Sequence, residues 1–278
     1  MTCSQQALLR KYGIRPVKRR GQNFLVDTNL ARSIAQDVLK LGREVLELGA
    51  GAGALTTHLL DGADRVVCVE VDRKLCALLT TEFGEHPAFE LIEGDLARLD
   101  WGGVLARTGD QPVVAGNLPY VLTSKVLFAL AEYRRQVGGA VFMVQKEVAE
   151  RMAARPGGKD YGILAVVLGS VFEIAVVRSV PATVFWPRPE VASAIVRLLP
   201  GPAWEDEEFQ WFVRTVKLMF GQRRKKLRTQ LKSHFNLDAA RVEAITASAE
   251  VDPDNRPEQI DRDGFRRLAA VLSVEAAP

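Results

Sequence analysis

In its first 154 residues the chain alternates two kinds of segment, and this alternation restricts it to few architectures. Short β-branched or apolar runs at residues 44–48, 66–71, 89–92, 112–115 and 140–144 are separated by stretches of helical spacing at 54–60, 72–83, 123–133 and 146–154. A strand followed by a helix brings the chain back to the same end of a sheet, so the strands pair in parallel and the helices cover the faces. Two later apolar runs, 172–180 and 192–199, extend the sheet, with the proline-rich residues 180–191 as the loop between them. Beyond Pro200-Gly201-Pro202 only helical spacing remains, at 209–220, 224–235, 239–247 and 262–274. The expectation is an α/β, Rossmann-like domain over residues 1–200 and a smaller all-α domain over 201–278. No internal repeat or low-complexity tract is visible.

Composition narrows the setting. With 47% hydrophobic and 26% charged residues, the chain has the balance of a globular protein. No apolar run approaches the roughly 18 residues that span a bilayer, and residues 1–16 lack the apolar core of a signal peptide. A cytoplasmic protein with no membrane partner is expected. Cys3, Cys68 and Cys76 form no CxxC pair, and His58, His86 and His234 are scattered, so neither a disulfide framework nor a metal site is expected. The net charge of +3 says little, but its distribution says more. Arg10, Lys11, Arg15, Lys18, Arg19 and Arg20 form one block without acids. Arg214, Lys217, Arg223, Arg224, Lys225, Lys226, Arg228 and Lys232 form another. Each alone reads as a solvated face; together they suit a phosphate backbone.

The first strand-to-helix junction reads Glu47-Leu48-Gly49-Ala50-Gly51-Ala52-Gly53-Ala54. Glycines here let the backbone turn sharply and approach a ligand where a Cβ would collide. Gly49, Gly51 and Ala54 satisfy GxGxx(G/A), so a dinucleotide site is one reading. Glu70 ends the next strand about 20 residues on, where an acid accepts from ribose hydroxyls, and Asp95 follows the third strand, placed to accept from an adenine amine. An adenosine-containing cofactor follows, of no determined kind at this point; ordinary acids at strand ends are the plain alternative. A dehydrogenase also needs a group to polarise a carbonyl, for which the sequence offers no candidate. S-adenosylmethionine, which shares the adenosine and needs no phosphate cradle, fits better.

Asn117-Leu118-Pro119-Tyr120 follows the fourth strand, at the carboxyl edge where ligands bind in such sheets. The Asn117 side chain and the Leu118 carbonyl offer two acceptors for one NH2 group, with Pro119 stiffening the backbone between acceptor and ring. Tyr120 offers a face on which a base stacks, worth about 1–3 kcal/mol. The tetrapeptide reads equally as a turn closing a strand.

The ordered set of motifs resembles the ribosomal RNA adenine dimethyltransferase family, of the kasugamycin-sensitivity type, over about residues 18–272. The resemblance rests on Gly21-Gln22-Asn23-Phe24-Leu25, the glycine loop, Glu70, Asp95 and residues 117–120. It continues through Gln145-Lys146-Glu147-Val148-Ala149-Glu150-Arg151-Met152, Lys159-Asp160-Tyr161-Gly162, Phe185-Trp186-Pro187-Arg188-Pro189-Glu190-Val191-Ala192-Ser193, Gln222-Arg223-Arg224-Lys225-Lys226-Leu227 and Arg256-Pro257-Glu258.

The resemblance implies a class I methyltransferase sheet that dimethylates two adjacent adenosines near the 3′ end of small-subunit (16S) rRNA, in pre-ribosomal particles, as a monomer. It implies that Asn23, Leu25, Gly49, Gly51, Glu70, Asp95 and Asn117 bind S-adenosylmethionine, and that Glu47 supports the loop. Tyr120 and Phe185 would sandwich the adenine while Asn117 and Leu118 hold its amine. Arg19, Arg20, Arg223, Arg224, Lys225 and Lys226 would bind RNA. One departure is Ala50, where the family usually has proline. Two other readings stand beside this one: a large-subunit (23S) rRNA adenine methyltransferase conferring antibiotic resistance, and a non-catalytic ribosome assembly factor. The segments 145–152 and 159–162 favour the small-subunit type over the first, and an intact cofactor site argues against the second.

Overall fold

The computed structural model describes residues 5–17 and 21–275. Among the described residues the strands are β1 (Phe24–Leu25), β2 (Glu44–Leu48), β3 (Arg65–Glu70), β4 (Phe89–Glu93), β5 (Val113–Asn117), β6 (Gly139–Gln145), β7 (Phe172–Val180), β8 (Phe185–Trp186) and β9 (Ser193–Pro200). The helices are α1 (Gln5–Lys11), α2 (Thr28–Leu39), α3 (Thr56–Leu59), α4 (Arg73–Phe83), α5 (Trp101–Thr108) and α6 (Thr123–Glu132). They continue with α7 (Lys146–Met152), α8 (Ile163–Val171), α9 (Asp206–Gly221), α10 (Leu227–Phe235), α11 (Ala239–Ser248) and α12 (Arg262–Glu275).

The chain divides into two compact units, one of Met1–Ala149 with Glu173–Pro200, the other of Glu150–Phe172 with Gly201–Pro278. One boundary between the units falls at residue 200. Residues 150–172, however, group with the C-terminal helices and not with residues 1–200. The reason lies in α8, where Ala165, Val166, Val167, Leu168 and Val171 are buried. A helix apolar on nearly every side needs packing partners all round it, and α9 and α12 supply them.

In the first unit a seven-stranded sheet runs in the order β4-β3-β2-β5-β6-β9-β7. The pairs β2–β3, β3–β4, β2–β5 and β5–β6 are parallel, as expected, but β9 runs antiparallel to β6, with Gln145 opposite Ser193. Residues 180–191 are more than a loop, because β8 within them pairs antiparallel with β1, Leu25 opposite Phe185. The central strands are buried on both faces: in β3 every residue after Arg65 is, which is why they read as continuous apolar runs. Helix α2 shows how the faces are covered. Asp27 caps it by accepting from the Leu30 N–H at 2.9 Å, and its apolar stripe Ala31, Ile34, Ala35 and Val38 joins Val45, Val113 and Val141 in the core.

The sheet order fixes where a ligand binds. From β2 the chain proceeds outward through β3 to β4, then returns to the other side of β2 with β5 and β6. The crevice at the carboxyl ends of β2 and β5 is therefore the topological switch point. The two strands approach closely there: a Cβ on Gly116 would lie 2.4 Å from the Leu48 carbonyl oxygen.

The second unit is helical. Phe209, Phe212, Val216 and Met219 of α9 are buried along with Phe265, Leu268 and Leu272 of α12. Trp204 packs 4.7 Å from Phe212, centroid to centroid, and donates its indole N–H to the Ser170 carbonyl at 3.0 Å. Among the described residues no helix is long and apolar enough to cross a membrane.

Candidate functional site

The site begins at the turn after β2. Gly51 has φ of +59°, a conformation that glycine alone adopts without strain, and its N–H donates to Glu70 Oε2 at 2.9 Å. Glu70 Oε1 accepts from the N–H groups of Val71 and Asp72 at 2.8 and 2.9 Å. Burial pushes the Glu70 carboxyl above the usual carboxylate range, against the pull of these three donors. Three further loop N–H groups are also taken up within the protein. Gly49 and Ala50 both donate to the Val69 carbonyl, at 2.8 and 3.4 Å, and Gly53 donates to the Ala50 carbonyl at 3.0 Å. A phosphate cradle would aim these groups at the ligand. This loop instead presents backbone contour beside a carboxylate, which suits an adenosine ligand better than a pyrophosphate. The N–H that proline would lack at position 50 makes only the longest of these bonds, so the substitution adds a weak tie to β3 and removes none.

Glu47 lies beneath the loop and is 2% exposed. Its Oε2 accepts from Thr56 Oγ1 at 2.7 Å and from Cys68 Sγ at 3.4 Å, which ties β2 to the first turn of α3 and to β3. Burial pushes its carboxyl up to about 7, and Glu70 adds to the rise, while the two hydrogen bonds oppose it.

These groups line one cavity of about 280 Å³. Of the residues expected to bind cofactor, Asn23, Leu25, Gly49, Gly51, Glu70, Asp95 and Asn117 all line it. Asp95 is exposed; its Oδ1 caps the following turn by accepting from the Ala97 N–H at 2.8 Å, and Oδ2 makes no hydrogen bond among the described residues. Glu70 has three of its roughly four lone-pair positions occupied by backbone donors, so its capacity for ribose hydroxyls is concentrated on Oε2. Val71, 44% exposed on the cavity wall, was not among the expected residues. A β-branched residue after an acid at a strand end is the signal that marks it.

Asn117, Leu118, Pro119 and Tyr120 line the same cavity. Asn117 Nδ2 donates to the Asn23 backbone carbonyl at 2.9 Å. With the amino group committed there, the amide oxygen is the atom left to accept from a ligand. The Leu118 N–H donates to the Met143 carbonyl at 3.1 Å, which anchors the tetrapeptide to β6. The phenolic oxygen of Tyr120 lies 3.1 Å from Ser193 Oγ. Neither the Asn23 carbonyl nor Ser193 is identifiable as a partner without the fold.

Other expected residues lie elsewhere. Phe185 is 4% exposed, packs in the core with Leu25, and does not line the cavity. Phe185 stands opposite Leu25 in the β1–β8 ribbon, and its ring is taken up by the apolar cluster that also holds Val180 and Ile195. Arg19 and Arg20 lie outside the described residues. In the second unit the basic segment is divided in its commitments. Arg223 donates to the Lys159 carbonyl at 2.8 Å and lies 3.6 Å from Glu258, and Lys226 pairs with Asp254 at 3.3 Å. Arg224 and Lys225 are exposed. The first N–H groups of α10 are already occupied, Leu227 by the Asn255 carbonyl and Arg228 by that of Pro253, so positive charge here comes from side chains and not from a helix end.

Residues 16–272 match the family model described as ribosomal RNA adenine dimethylase. The chain is 44% identical to the ribosomal RNA small subunit methyltransferase A of Anaeromyxobacter sp. (strain K) over 267 residues, 92% of this chain and 93% of that one. It is 40% identical to the protein of that name from Moorella thermoacetica, covering 96% of each. Among solved structures, the 23S rRNA methyltransferase ErmE superposes with a TM-score of 0.67 at 28% identity, over 90% of this chain and all of that one. A dimethyladenosine transferase from Plasmodium falciparum gives 0.69 at 24% identity, over 85% and 93%. With the glycine loop, the two acids and residues 117–120 gathered on one cavity, and this family match running through them, the chain belongs to the ribosomal RNA adenine dimethylase family.

Proposed function

We propose that the protein is an S-adenosylmethionine-dependent rRNA adenine N6-dimethyltransferase acting on two adjacent adenosines near the 3′ end of small-subunit rRNA. It acts as a cytoplasmic monomer on pre-ribosomal particles. The observation that carries this reading is the Asn117 amide, turned by the Asn23 carbonyl so that its oxygen is left to accept, beside the Leu118 carbonyl on the cavity that Glu70 and Asp95 line.

S-adenosylmethionine supplies an electrophilic methyl group carried on a sulfonium. Glu70 accepts from its ribose and Asp95 from its adenine amine, while Gly49, Gly51, Asn23 and Leu25 shape the pocket. The amine of the target base is a poor nucleophile because its lone pair is delocalised into the ring. Asn117 Oδ1 and the Leu118 carbonyl accept its two N–H bonds and hold them away from the geometry that delocalisation needs, so positioning does most of the work. The same acceptors favour positive charge developing on nitrogen and so bind the transition state better than the ground state. The alkylated nitrogen is acidic enough to lose its proton to water without a dedicated base. Tyr120 supplies the stacking face. For Phe185 to join it, the base must gain access to a ring that the β1–β8 ribbon encloses.

The relatives named for the small subunit, at 44% and 40% identity, favour this target over the 23S rRNA reading that the 28% identical ErmE structure represents. The test is incubation with methyl-labelled cofactor and undermethylated small subunits, followed by mapping of the labelled nucleotides. Label on two adjacent adenines of 16S rRNA is expected. Label on 23S rRNA only, or transfer undiminished by Asn117→Ala, refutes the proposal.

A further inference from the structure

We propose that Ser193 is a positioning residue for methyl transfer: through the phenolic oxygen of Tyr120, its hydroxyl fixes the plane of the ring on which the target base stacks. The inference rests on the reading of the site given above.

Ser193 opens β9 opposite Gln145 at the end of β6, and the adjacent bond from the Lys146 N–H to the Ala192 carbonyl, 3.0 Å, continues the pairing past it. Its backbone is therefore held by the sheet. Its side chain is fully buried, at 0% exposure, and Ala194, Ile195 and Val196 beside it on the strand are buried and apolar. A hydroxyl in such surroundings is costly unless it is bonded. The only side-chain bond it forms among the described residues is the 3.1 Å contact with Tyr120 Oη. Tyr120 itself is half-buried on the cavity wall.

The geometry makes that contact a constraint on the ring. Its Cβ end is fixed by the tetrapeptide, which the Leu118–Met143 bond ties to β6, and its far end is fixed by Ser193 on β9. Both anchors sit where β6 and β9 pair, so the ring is suspended between two points on one rigid element. Without the far anchor the ring turns about its Cα–Cβ and Cβ–Cγ bonds, and a stacked base turns with it. The demand is greatest in the second transfer, when the monomethylated amine keeps one N–H for two acceptors and stacking carries more of the alignment.

The test compares Ser193→Ala, Tyr120→Phe and the double variant with wild type on undermethylated small subunits. It measures kcat, cofactor Kd and the ratio of monomethyl to dimethyl adenosine. Each single variant should lower kcat about fivefold to tenfold, the span of one net hydrogen bond. Each should also raise the monomethyl fraction and leave cofactor Kd within about twofold. The double variant should be no worse than either single one. Tyr120→Phe removes the bond from the half-exposed side, so the inference stays testable even if Ser193→Ala folds poorly. An unchanged kcat and product ratio in Tyr120→Phe overturns it, as does a double variant whose losses multiply. A wild type that methylates no adenine defeats the underlying assignment as well, whereas an active wild type with indifferent variants defeats only this inference.

Discussion

Replacing Glu47 with glutamine should change the pH dependence of stability in a direction that the burial of this carboxyl dictates. Its proton affinity in the folded chain corresponds to about 7, against 4.5 for the exposed group, and desolvation is the largest cause. The folded state thus binds the proton more tightly than the unfolded state. Stability from this source is fully present below about pH 4.5 and is lost as pH rises through about 7. At about 1.4 kcal/mol for each tenfold change in proton affinity, the loss is about 3 kcal/mol, an upper figure because water admitted to the site would reduce it. Glutamine keeps an acceptor for Thr56 and Cys68 and never ionises. Urea unfolding of both proteins at constant ionic strength from pH 4.5 to 8.5 isolates the effect in their difference, because groups common to both largely cancel. The wild type should lose ground to the Gln variant as pH rises, most steeply between 5 and 7.5. A difference that is flat within about 0.5 kcal/mol, less than half the value of one tenfold change, would mean that Glu47 is ionised throughout and that burial does not govern it.

Gly51→Ala places a Cβ where φ is +59°, which costs roughly 1–2 kcal/mol. It should weaken S-adenosylmethionine binding about tenfold by calorimetry, the equivalent of 1.4 kcal/mol, and unchanged affinity would show that the loop does not need that turn. Replacing exposed Arg224 and Lys225 together with alanine should weaken RNA binding and reduce its logarithmic salt slope by about 1.5, with cofactor affinity unaffected. Equal loss of both affinities would indicate misfolding instead. Arg223→Ala should act differently. By removing the bond to the Lys159 carbonyl and the Glu258 contact it should lower stability by about 1 kcal/mol in thermal unfolding, with a smaller change in salt slope than the Arg224 and Lys225 pair.

How much of this was legible in the sequence depends on how local each feature is. The strands at 44–48 and 172–180 are found where the apolar runs place them, because buried parallel strands and long β-branched runs carry their own pattern. Glu70, Asp95 and Asn117 were legible for the same reason: each follows or ends a recognisable strand, and parallel pairing brings such positions to one edge. β1 and β8, two residues each, are too short to show any period, so the ribbon that encloses Phe185 was invisible. Helix α8 was missed because a helix buried on nearly all sides has no polar face to mark its turn. The antiparallel setting of β9 was also hidden, since periodicity within a strand says nothing of its neighbour's direction. Contacts made through backbone atoms or between distant segments, such as Asn23 with Asn117 and Ser193 with Tyr120, leave no compositional trace.

The hold of the Asn23 carbonyl on Asn117 has a consequence for when the site exists at all. The two residues are 94 positions apart, so the amide acquires its orientation only after a long loop has closed. From then on, that orientation lasts only while residues 21–25 stay docked, however firmly the sheet beneath is formed. Amide hydrogen exchange at Val26, whose N–H donates to the Val184 carbonyl at 2.9 Å where the short ribbon with β8 ends, reports how often this segment opens. On the proposed mechanism, readiness for methyl transfer follows this two-residue pairing, and it can fall without any loss of the fold.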